Sequence, residues 1–433
     1  MTNYSTMVKN NLISIIKEME KSPEAFVKNP GKDFSRHRKL TFECMIRFLL
    51  SMNGNTLSTE LLEYFNYDIE VPTVSAFVQQ RAKILPSALE YLFKAFNGTY
   101  DKQKLFMGYR CLAVDGTKLN IPHNPNDSKT YVRSSEQARG YHLLHLNALY
   151  DLKSKLYVES CLQVQKEKNE TGALVDMVNR STLAEPTLII ADRGYESYNV
   201  FAHLEEKGWK YMIRVKDKSS SSIVSTLPIP ETETFDECFK LTLTRKQTKE
   251  IKANPQTYKF LPNNSRFDYF ELNNTLFYPL NFRVLRFKIS ETSYETIITN
   301  LDTEEFSPEI IKELYHLRWG VETSFRELKY TIGLAHLHSK KMDFIVQEVL
   351  AKLIMYNFCE MITLNVALEK KDRKHEYQAN FTVAIHLCKE FFRGRVMLIE
   401  ELIKKHILPI REGRHYERRI RTKSLVGFMY RVA

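Results

Sequence analysis

Patterned cysteines and long apolar segments are both missing from this sequence. Its 6 cysteines are scattered, and no two of them form a CxxC pair. This spacing favours reduced cysteines in a core and argues against a structural zinc site. No apolar run approaches the length needed to cross a bilayer, and the first residues lack the apolar core of a signal peptide. We therefore expect a cytoplasmic protein with no membrane partner.

What the sequence does contain is apolar residues for a core and an excess of positive charge. The 433 residues are 43% hydrophobic and 12% aromatic, which is enough to bury a substantial core and excludes a disordered chain. This length predicts about two to four folding units. The formal net charge of +11 indicates a polyanionic partner, although an anionic membrane surface would satisfy the same charge.

One segment, YHLRWGVETSFRELK from Tyr315 to Lys329, has the pattern of a helix with a functional polar face. At about 100° per residue, Tyr315, Arg318, Glu322 and Lys329 fall within an arc of about 60°. Apolar residues occupy an adjacent arc and would dock the helix on a core. Glu327 points away from Glu322. The alternative is an amphipathic helix whose polar side carries ion pairs such as Arg318 with Glu322.

Two aspartates follow apolar runs upstream of this segment. Asp115 closes CLAVDG and Asp192 closes TLIIAD, so each is predicted to lie where a buried strand meets a loop. A single aspartate in this position is more often a cap or turn residue. Together with Glu322, however, they form a set of carboxylates that would repel one another without hard cations such as Mg²⁺ between them. Two such ions can activate an attacking oxygen and stabilise a leaving one in phosphodiester chemistry.

These motifs resemble those of bacterial DDE transposases of the insertion-sequence-four family. The resemblance rests on Asp115 in VDGTKL, on Asp192 in ADRGY, and on the spacing Tyr-x2-Arg-x3-Glu-x6-Lys from Tyr315 to Lys329. The motifs occur in the family's order, and the likeness covers most of residues 100 to 360. Outside that span the likeness is one of general architecture.

The resemblance implies an enzyme that binds double-stranded DNA at terminal inverted repeats, cleaves it at the element ends and transfers the 3′-OH ends into target DNA. The residues expected to hold two Mg²⁺ or Mn²⁺ ions and to carry out catalysis are Asp115, Asp192 and Glu322. The residues expected to contact DNA are Tyr315, Arg318, Lys329 and Arg193. Paired-end chemistry further implies a homodimer in the synaptic complex, associated with the nucleoid in the bacterial cytoplasm.

Two other functions fit the same sequence. A structure-selective nuclease of the same fold would cut DNA without joining it, and a strand-transfer assay separates this activity from transposition. A catalytically idle DNA-binding protein derived from a transposase is the other alternative. The intact carboxylates and the intact Tyr-Arg-Glu-Lys face argue against this second alternative.

The order of segments predicts an α/β fold. From Tyr109, three apolar strands are followed by alternating helices and strands, which indicates a mixed sheet with helices on its faces. This order matches the ribonuclease-H-like core that the resemblance implies. The predicted regions are a helical N-terminal DNA-binding region at 1–105, the first part of the catalytic core at 106–216, a β-rich insertion at 217–300, the second part with the glutamate helix at 301–370, and a helical basic C-terminal region at 371–433.

The terminal regions leave alternatives open. The short helices before residue 85 leave Gln79, Gln80, Arg81 and Lys83 polar, which is compatible with a helix-turn-helix reader of a major groove. An ordinary helical bundle packed on the next domain explains the same pattern equally well. Near the end of the chain, a basic run from Arg411 to Lys423 favours contact with DNA phosphates over a solvated tail.

Overall fold

A large mixed sheet, covered by helices on both faces, organises the computed structural model. The structure describes residues 3–36, 38–133, 135–137, 140–217, 222–270, 276–291, 293–366 and 376–410. The basic run from Arg411 to Lys423 and most of the serine-rich linker at 219–222 lie outside the described residues. Across the described part of the chain, no helix is both long enough and apolar enough to cross a membrane.

The elements are numbered here in chain order. The helices are α1 Tyr4–Lys21, α2 Phe42–Ser51, α3 Leu57–Tyr64, α4 Val74–Arg81, α5 Pro86–Asn97, α6 Glu170–Arg180, α7 Tyr198–Glu206, α8 Lys249–Ala253, α9 Pro308–Leu317, α10 Trp319–Tyr330, α11 Met342–Thr363, α12 Phe381–Phe392 and α13 Ile399–Lys405. The strands are β1 Arg110–Ile121, β2 Tyr131–Val132, β3 Tyr141–Asp151, β4 Leu156–Val164, β5 Thr187–Ala191, β6 Lys210–Val215, β7 Phe235–Thr244, β8 Tyr258–Phe260, β9 Phe277–Ser290, β10 Ser293–Thr299, β11 Tyr377–Ala379 and β12 Ile407–Pro409.

The main sheet runs in the order β2-β3-β1-β5-β6-β10-β9-β7-β8, with β4 also paired to β3. Strands β1, β5 and β6 are mutually parallel, whereas β3 pairs antiparallel with both β1 and β4. Strand β10 pairs antiparallel with β6 and connects this centre to β9 and β7. The strands after residue 234 therefore extend the central sheet.

Apolar residues on both faces explain why β1 and β5 lie at the centre. All five residues of β5, TLIIA, are buried, as expected for a parallel strand with helices on both sides. On β1, Leu112 and Val114 join the core formed with α6 and α7. Their neighbour Ala113 joins the opposite core, which includes α10 and α11. Alternation along β1 thus points Asp115 to the α10 side.

The structure confirms the strand and helix predictions between residues 110 and 215. The three apolar strands predicted from Tyr109 are β1, β3 and β4, and the first of the helices predicted to follow them is α6. The β-type segments predicted beyond residue 234 are also strands, namely β7, β9 and β10. The division of the chain into five functional regions remains a prediction.

Helix α11 joins the N-terminal helices to the sheet. It is buried at nearly every position from Phe344 to Ile362. The Asn357 amide donates to the Tyr157 carbonyl on β4 at 2.7 Å and to Asn97 Oδ1 at the end of α5, also at 2.7 Å. Residues from α1, α2 and α5 belong to the same buried cluster as residues from α10, α11 and α12. The N-terminal helices therefore share one core with α10, α11 and α12, which pack on the side of β1 that Asp115 faces.

The structure corrects the view of Arg81 as a residue available to DNA. Its side chain is 2% exposed, and Gln80 beside it is also buried. Arg81 Nη1 donates to Glu348 Oε1 at 2.9 Å, and Arg81 Nε donates to Gln347 Oε1 at 2.8 Å. Arg81 therefore anchors α4 to α11, and its charge is satisfied within the protein.

We predict that Arg81→Ala lowers the free energy of unfolding by about 3 kcal/mol or more, because it leaves the Glu348 carboxylate buried without its main countercharge. The measurement is urea denaturation followed by circular dichroism. The control is Lys28→Ala, which removes an exposed pair with Asp343 at 3.0 Å and should cost less than about 1 kcal/mol. Equal losses in the two variants would contradict this account.

Candidate active site

The register of the sheet brings the two motif aspartates level with each other. Strands β1 and β5 are parallel, and Ala113 pairs with Ile190. Continuing this register by two residues sets Asp115 opposite Asp192, with neighbouring strands about 4.8 Å apart. Because β5 ends at Ala191, Asp192 is the first residue beyond that strand. The two carboxylates therefore share one edge of the parallel part of the sheet.

Asp115 does not lie at a strand end, and that prediction was wrong. Strand β1 continues to Ile121 because it remains paired with β3 well beyond the point where β5 ends. What ends near Asp115 is its pairing with β5, which leaves one side of β1 open there. On the side facing β5, Asp115 therefore lies just beyond the last paired residues, whereas on the side facing β3 it lies within the paired strand.

Each aspartate is held by a nearby backbone amide. The Gly116 amide donates to Asp115 Oδ1 at 2.8 Å, and the Gly194 amide donates to Asp192 Oδ1, also at 2.8 Å. Asp192 caps a short 3-10 helix, Arg193–Tyr195, in which Arg193 is exposed. The remaining oxygen of each carboxylate is left to other partners.

The segment predicted as one helix is divided into two at Arg318. Helix α9 ends at Leu317 and α10 begins at Trp319. The Arg318 amide bonds the Tyr315 carbonyl at 3.1 Å, and the Val321 amide bonds the Arg318 carbonyl at 3.1 Å. Both bonds span three residues rather than four, so the backbone is tightened at this junction.

The polar face of this segment nevertheless converges on the aspartates. Arg318 Nη2 donates to Glu322 Oε1 at 2.9 Å, with the arginine side chain 7% exposed. Arg318 Nε and the Tyr315 hydroxyl are buried without a hydrogen-bond partner. Burial lowers the pKa of the half-buried Lys329, and the nearby charge of Asp115 opposes that shift. The ion pair between Arg318 and Glu322, which was the alternative explanation of this helix face, is therefore present. It involves two of the residues predicted to be functional.

Glu327 is turned away from this convergence, as predicted. Its Oε2 accepts a hydrogen bond from the Tyr356 hydroxyl of α11 at 3.2 Å. Burial raises its pKa. Glu327 is therefore a structural carboxyl between α10 and α11.

Mutual repulsion marks Asp115 as the centre of the acidic group. Its pKa is raised to about 6, chiefly by burial and also by the charges of Asp192 and Glu322, whereas the Gly116 amide and Arg318 lower it. Burial lowers the pKa of Arg318, but Tyr315, Glu322 and Asp115 outweigh that effect and raise it overall. Asp192 and Glu322 thus both act electrostatically on Asp115, and Arg318 lies near Asp115 and Glu322.

The carboxylate oxygens are the kind of ligand that Mg²⁺ and Mn²⁺ take. Within the part of the chain that the structure describes, no three acidic, histidine or cysteine side chains are grouped closely enough to hold a metal ion as they stand. Glu322 is instead paired with the Arg318 guanidinium. The chemistry of the three carboxylates suits a hard cation, whereas their present positions do not form a closed metal site.

A further carboxylate, which the motifs did not indicate, lies close to the aspartates. Glu170 begins α6, and its Oε1 is 3.0 Å from His145 Nε2 and 2.9 Å from Lys168 Nζ. The contact with His145, followed by Lys168, lowers the pKa of Glu170 to about 2 against the effect of burial. In the sequence, Glu170 is an ordinary first-turn helix residue, and only the polar alternation of His145 and Asn147 in β3 signals anything unusual.

Comparison with known proteins gives the class. Residues 106–358 match the family model described as a transposase DDE domain, which covers more than half of the chain. The chain belongs to this transposase DDE domain family.

A curated relative is the transposase for insertion sequence element IS231F of Bacillus thuringiensis subsp. israelensis, 22% identical over 323 residues. The match covers 67% of this chain and 65% of that relative, so the chain spans just under two thirds of the relative's length. Among solved structures, a piggyBac transposase synaptic complex with hairpin DNA is similar, with a TM-score of 0.47 and 9% identity over 96% of this chain and 87% of that one.

We predict that Asp115→Asn stabilises the metal-free protein above pH 6. The pKa of Asp115 is about 6 in the folded chain and about 4 in the unfolded chain. Between these pH values the folded chain keeps the proton that the unfolded chain has lost. Stability is therefore lost as pH rises through that window, and the asparagine variant avoids the loss. Urea denaturation in chelator should show an advantage that grows from pH 4 to pH 6 and then levels off at about 2 to 3 kcal/mol. A constant difference across this range would contradict the burial of a repelled carboxylate.

Proposed function

We propose that this protein is an insertion-sequence transposase that binds terminal inverted repeats, cleaves DNA at the element ends and transfers the 3′-OH ends into target DNA. The observation that supports the proposal is the sheet register that sets Asp115 opposite Asp192, together with the raised pKa of Asp115, to which the charges of Asp192 and Glu322 contribute. Membership of the transposase DDE domain family supports the same chemistry.

The proposed catalytic core has a ribonuclease-H-like fold. Its support is the strand order β4-β3-β1-β5-β6, in which β3 is antiparallel to β1 and β4, whereas β5 and β6 are parallel to β1. In this arrangement the first and fourth long strands, β1 and β5, bring Asp115 and Asp192 together. Strands β7 to β10 form the proposed insertion between Asp192 and Glu322.

The proposed ligands of two Mg²⁺ or Mn²⁺ ions are Asp115, Asp192 and Glu322. When bound, such ions would activate the attacking oxygen and stabilise the leaving one. In the protein alone, the Arg318 guanidinium lies against Glu322 and offsets part of the repulsion among the carboxylates. Asp115 and Asp192 each keep one oxygen bound to a glycine amide, which fixes the direction of the other.

The proposed phosphate contacts use donors that the protein leaves without partners. Arg318 Nε and the Tyr315 hydroxyl are buried and make no hydrogen bond, so each is a donor that a phosphate oxygen could satisfy once the DNA displaces the groups covering them. Lys329 lies near enough to Asp115 to be affected by its charge. Arg193 is exposed next to Asp192, where it is positioned to meet the DNA backbone.

The proposed assembly is a homodimer that holds two element ends, acting at the bacterial nucleoid. Its partners are the terminal inverted repeats and the target, both double-stranded DNA, and the net charge of +11 suits such partners. A strand-transfer assay with a pre-cleaved end tests this assignment. Joining of the 3′-OH supports a transposase, whereas cleavage without joining would favour a nuclease.

We predict that Glu322→Gln lowers cleavage of element-end DNA by several orders of magnitude and leaves end binding intact. The substitution keeps the size of the side chain and removes a ligand charge. The matched control is Glu313→Gln, an exposed position on α9, which should keep full activity. Cleavage and binding are measured on the same labelled duplex in Mg²⁺. An active Glu322→Gln variant with normal folding would exclude Glu322 as the third carboxylate.

We also predict that duplex affinity depends steeply on salt. The log-log slope should be about −0.9 per phosphate contacted, measured by fluorescence anisotropy. Lys329→Ala and Arg193→Ala should each reduce the magnitude of this slope by about 1. Lys252→Ala, an exposed lysine on α8, serves as the control and should leave the slope unchanged. An affinity that does not change with salt concentration would rule out recognition of DNA phosphates by the basic residues of this protein.

A further inference from the structure

A buried polar cluster lies behind Asp115, on the opposite side of β1, and the proposed chemistry does not use it. His145 and Asn147 on β3 are 2% and 0% exposed, and Glu170 from α6 meets them. The surrounding residues on this side of the sheet are mainly apolar side chains of α6 and α7. A polar group in this position needs an explanation beyond packing.

The cluster packs directly against the backbone of β1 at the residue after Asp115. A Cβ atom on Gly116 would overlap His145 Nε2 and would lie 2.9 Å from Glu170 Oε1. Gly116 pairs with Asn147 across the β1–β3 ladder, so its missing side chain leaves space on the side of this cluster. The His145 and Glu170 side chains fill that space and set how far this backbone can move.

The second oxygen of Glu170 faces the segment that carries Asp192. Glu170 Oε2 is 3.8 Å from the point where a Cβ on Gly194 would lie, and Asp192 Oδ1 is 3.0 Å from the same point. The buried Tyr195 hydroxyl gives independent support. Burial raises its pKa, and the charges of Asp115, Glu170 and Asp192 each raise it further. Glu170 thus lies between the two segments that carry the aspartates.

Part of the hydrogen-bonding capacity of the cluster is unused. His145 Nδ1 and Asn147 Oδ1 are buried without a hydrogen-bond partner. Unsatisfied buried polar atoms cost free energy, and apolar residues of similar size would avoid that cost. Packing alone therefore does not account for polar side chains here, whereas a role at the adjacent site does.

We propose that Glu170, oriented by His145 and Lys168, is a positioning residue that fixes the separation of Asp115 and Asp192 through the backbone at Gly116 and Gly194. The inference rests on the proposed function, in which these two aspartates bind the metal ions. Glu170 acts from behind the sheet and is not itself a proposed ligand. Its part is comparable to that of the groups that orient ligands in metal sites, whose loss typically weakens metal affinity about 10- to 100-fold.

The test measures Mn²⁺ binding to the full chain by electron paramagnetic resonance titration, with the metal alone as the probe. Glu170→Gln keeps the shape of the side chain and should weaken Mn²⁺ binding at least about 10-fold. Its duplex affinity at low salt without metal should change less than about twofold, because Glu170 is not among the proposed DNA contacts. The control is Glu167→Gln, which removes the same charge at an exposed position three residues earlier and should match the parent protein.

A second, milder variant tests the same role in case Glu170→Gln does not fold. Lys168→Met removes a partly exposed partner of Glu170, so it leaves the fold intact and should weaken Mn²⁺ binding by a smaller factor. If Asp115→Asn abolishes Mn²⁺ binding while the Glu170 and Lys168 variants bind as the parent does, the positioning role is overturned and the proposed function stands. If Asp115→Asn binds Mn²⁺ as well as the parent, the metal assignment in the proposed function fails.

Discussion

Electrostatic repulsion among carboxylates at one edge of the sheet is the constraint that the rest of the site accommodates. The pKa of Asp115 is raised to about 6, chiefly by burial and also by the neighbouring charges of Asp192 and Glu322. Such an arrangement is unfavourable unless nearby groups compensate for it. Arg318 supplies a fixed positive charge, and the amides of Gly116 and Gly194 supply hydrogen bonds. The sheet holds these groups in place because β1 and β5 are buried on both faces.

Arg318, at the tightened junction between α9 and α10, provides the positive charge in this compensation. It is four residues before Glu322, the ordinary spacing of an ion pair along a helix. From there its guanidinium reaches Glu322 and lies within 5.8 Å of the Tyr315 ring. Arg318 therefore pairs with the carboxylate that the proposed reaction needs. The same side chains form the ion pair and make up the proposed functional face.

Much of this arrangement could be predicted from the sequence, and the failures have physical reasons. Apolar runs located the central strands, because strands buried on both faces must be apolar throughout. Asp115 was misplaced at a strand end, since the sequence of β1 does not reveal that its partner β5 is shorter. Arg81 was read as polar surface because its buried partner, Glu348, is more than 260 residues away in the chain. Glu170 was missed because its role depends on a contact with β3 and on the absence of a side chain at Gly116.

The shared core of the N-terminal helices and α11 has a geometric consequence. Asn357 ties β4 to the end of α5, and Arg81 ties the end of α4 to α11, so the described helices before residue 98 cannot swing independently of the sheet. Any DNA surface that they offer is held at a constant distance and angle from Asp115. In the proposed transposase, with these helices as the DNA reader, the number of base pairs between the recognised sequence and the cut phosphate would be set by α11 as a rigid spacer rather than by a linker of adjustable length.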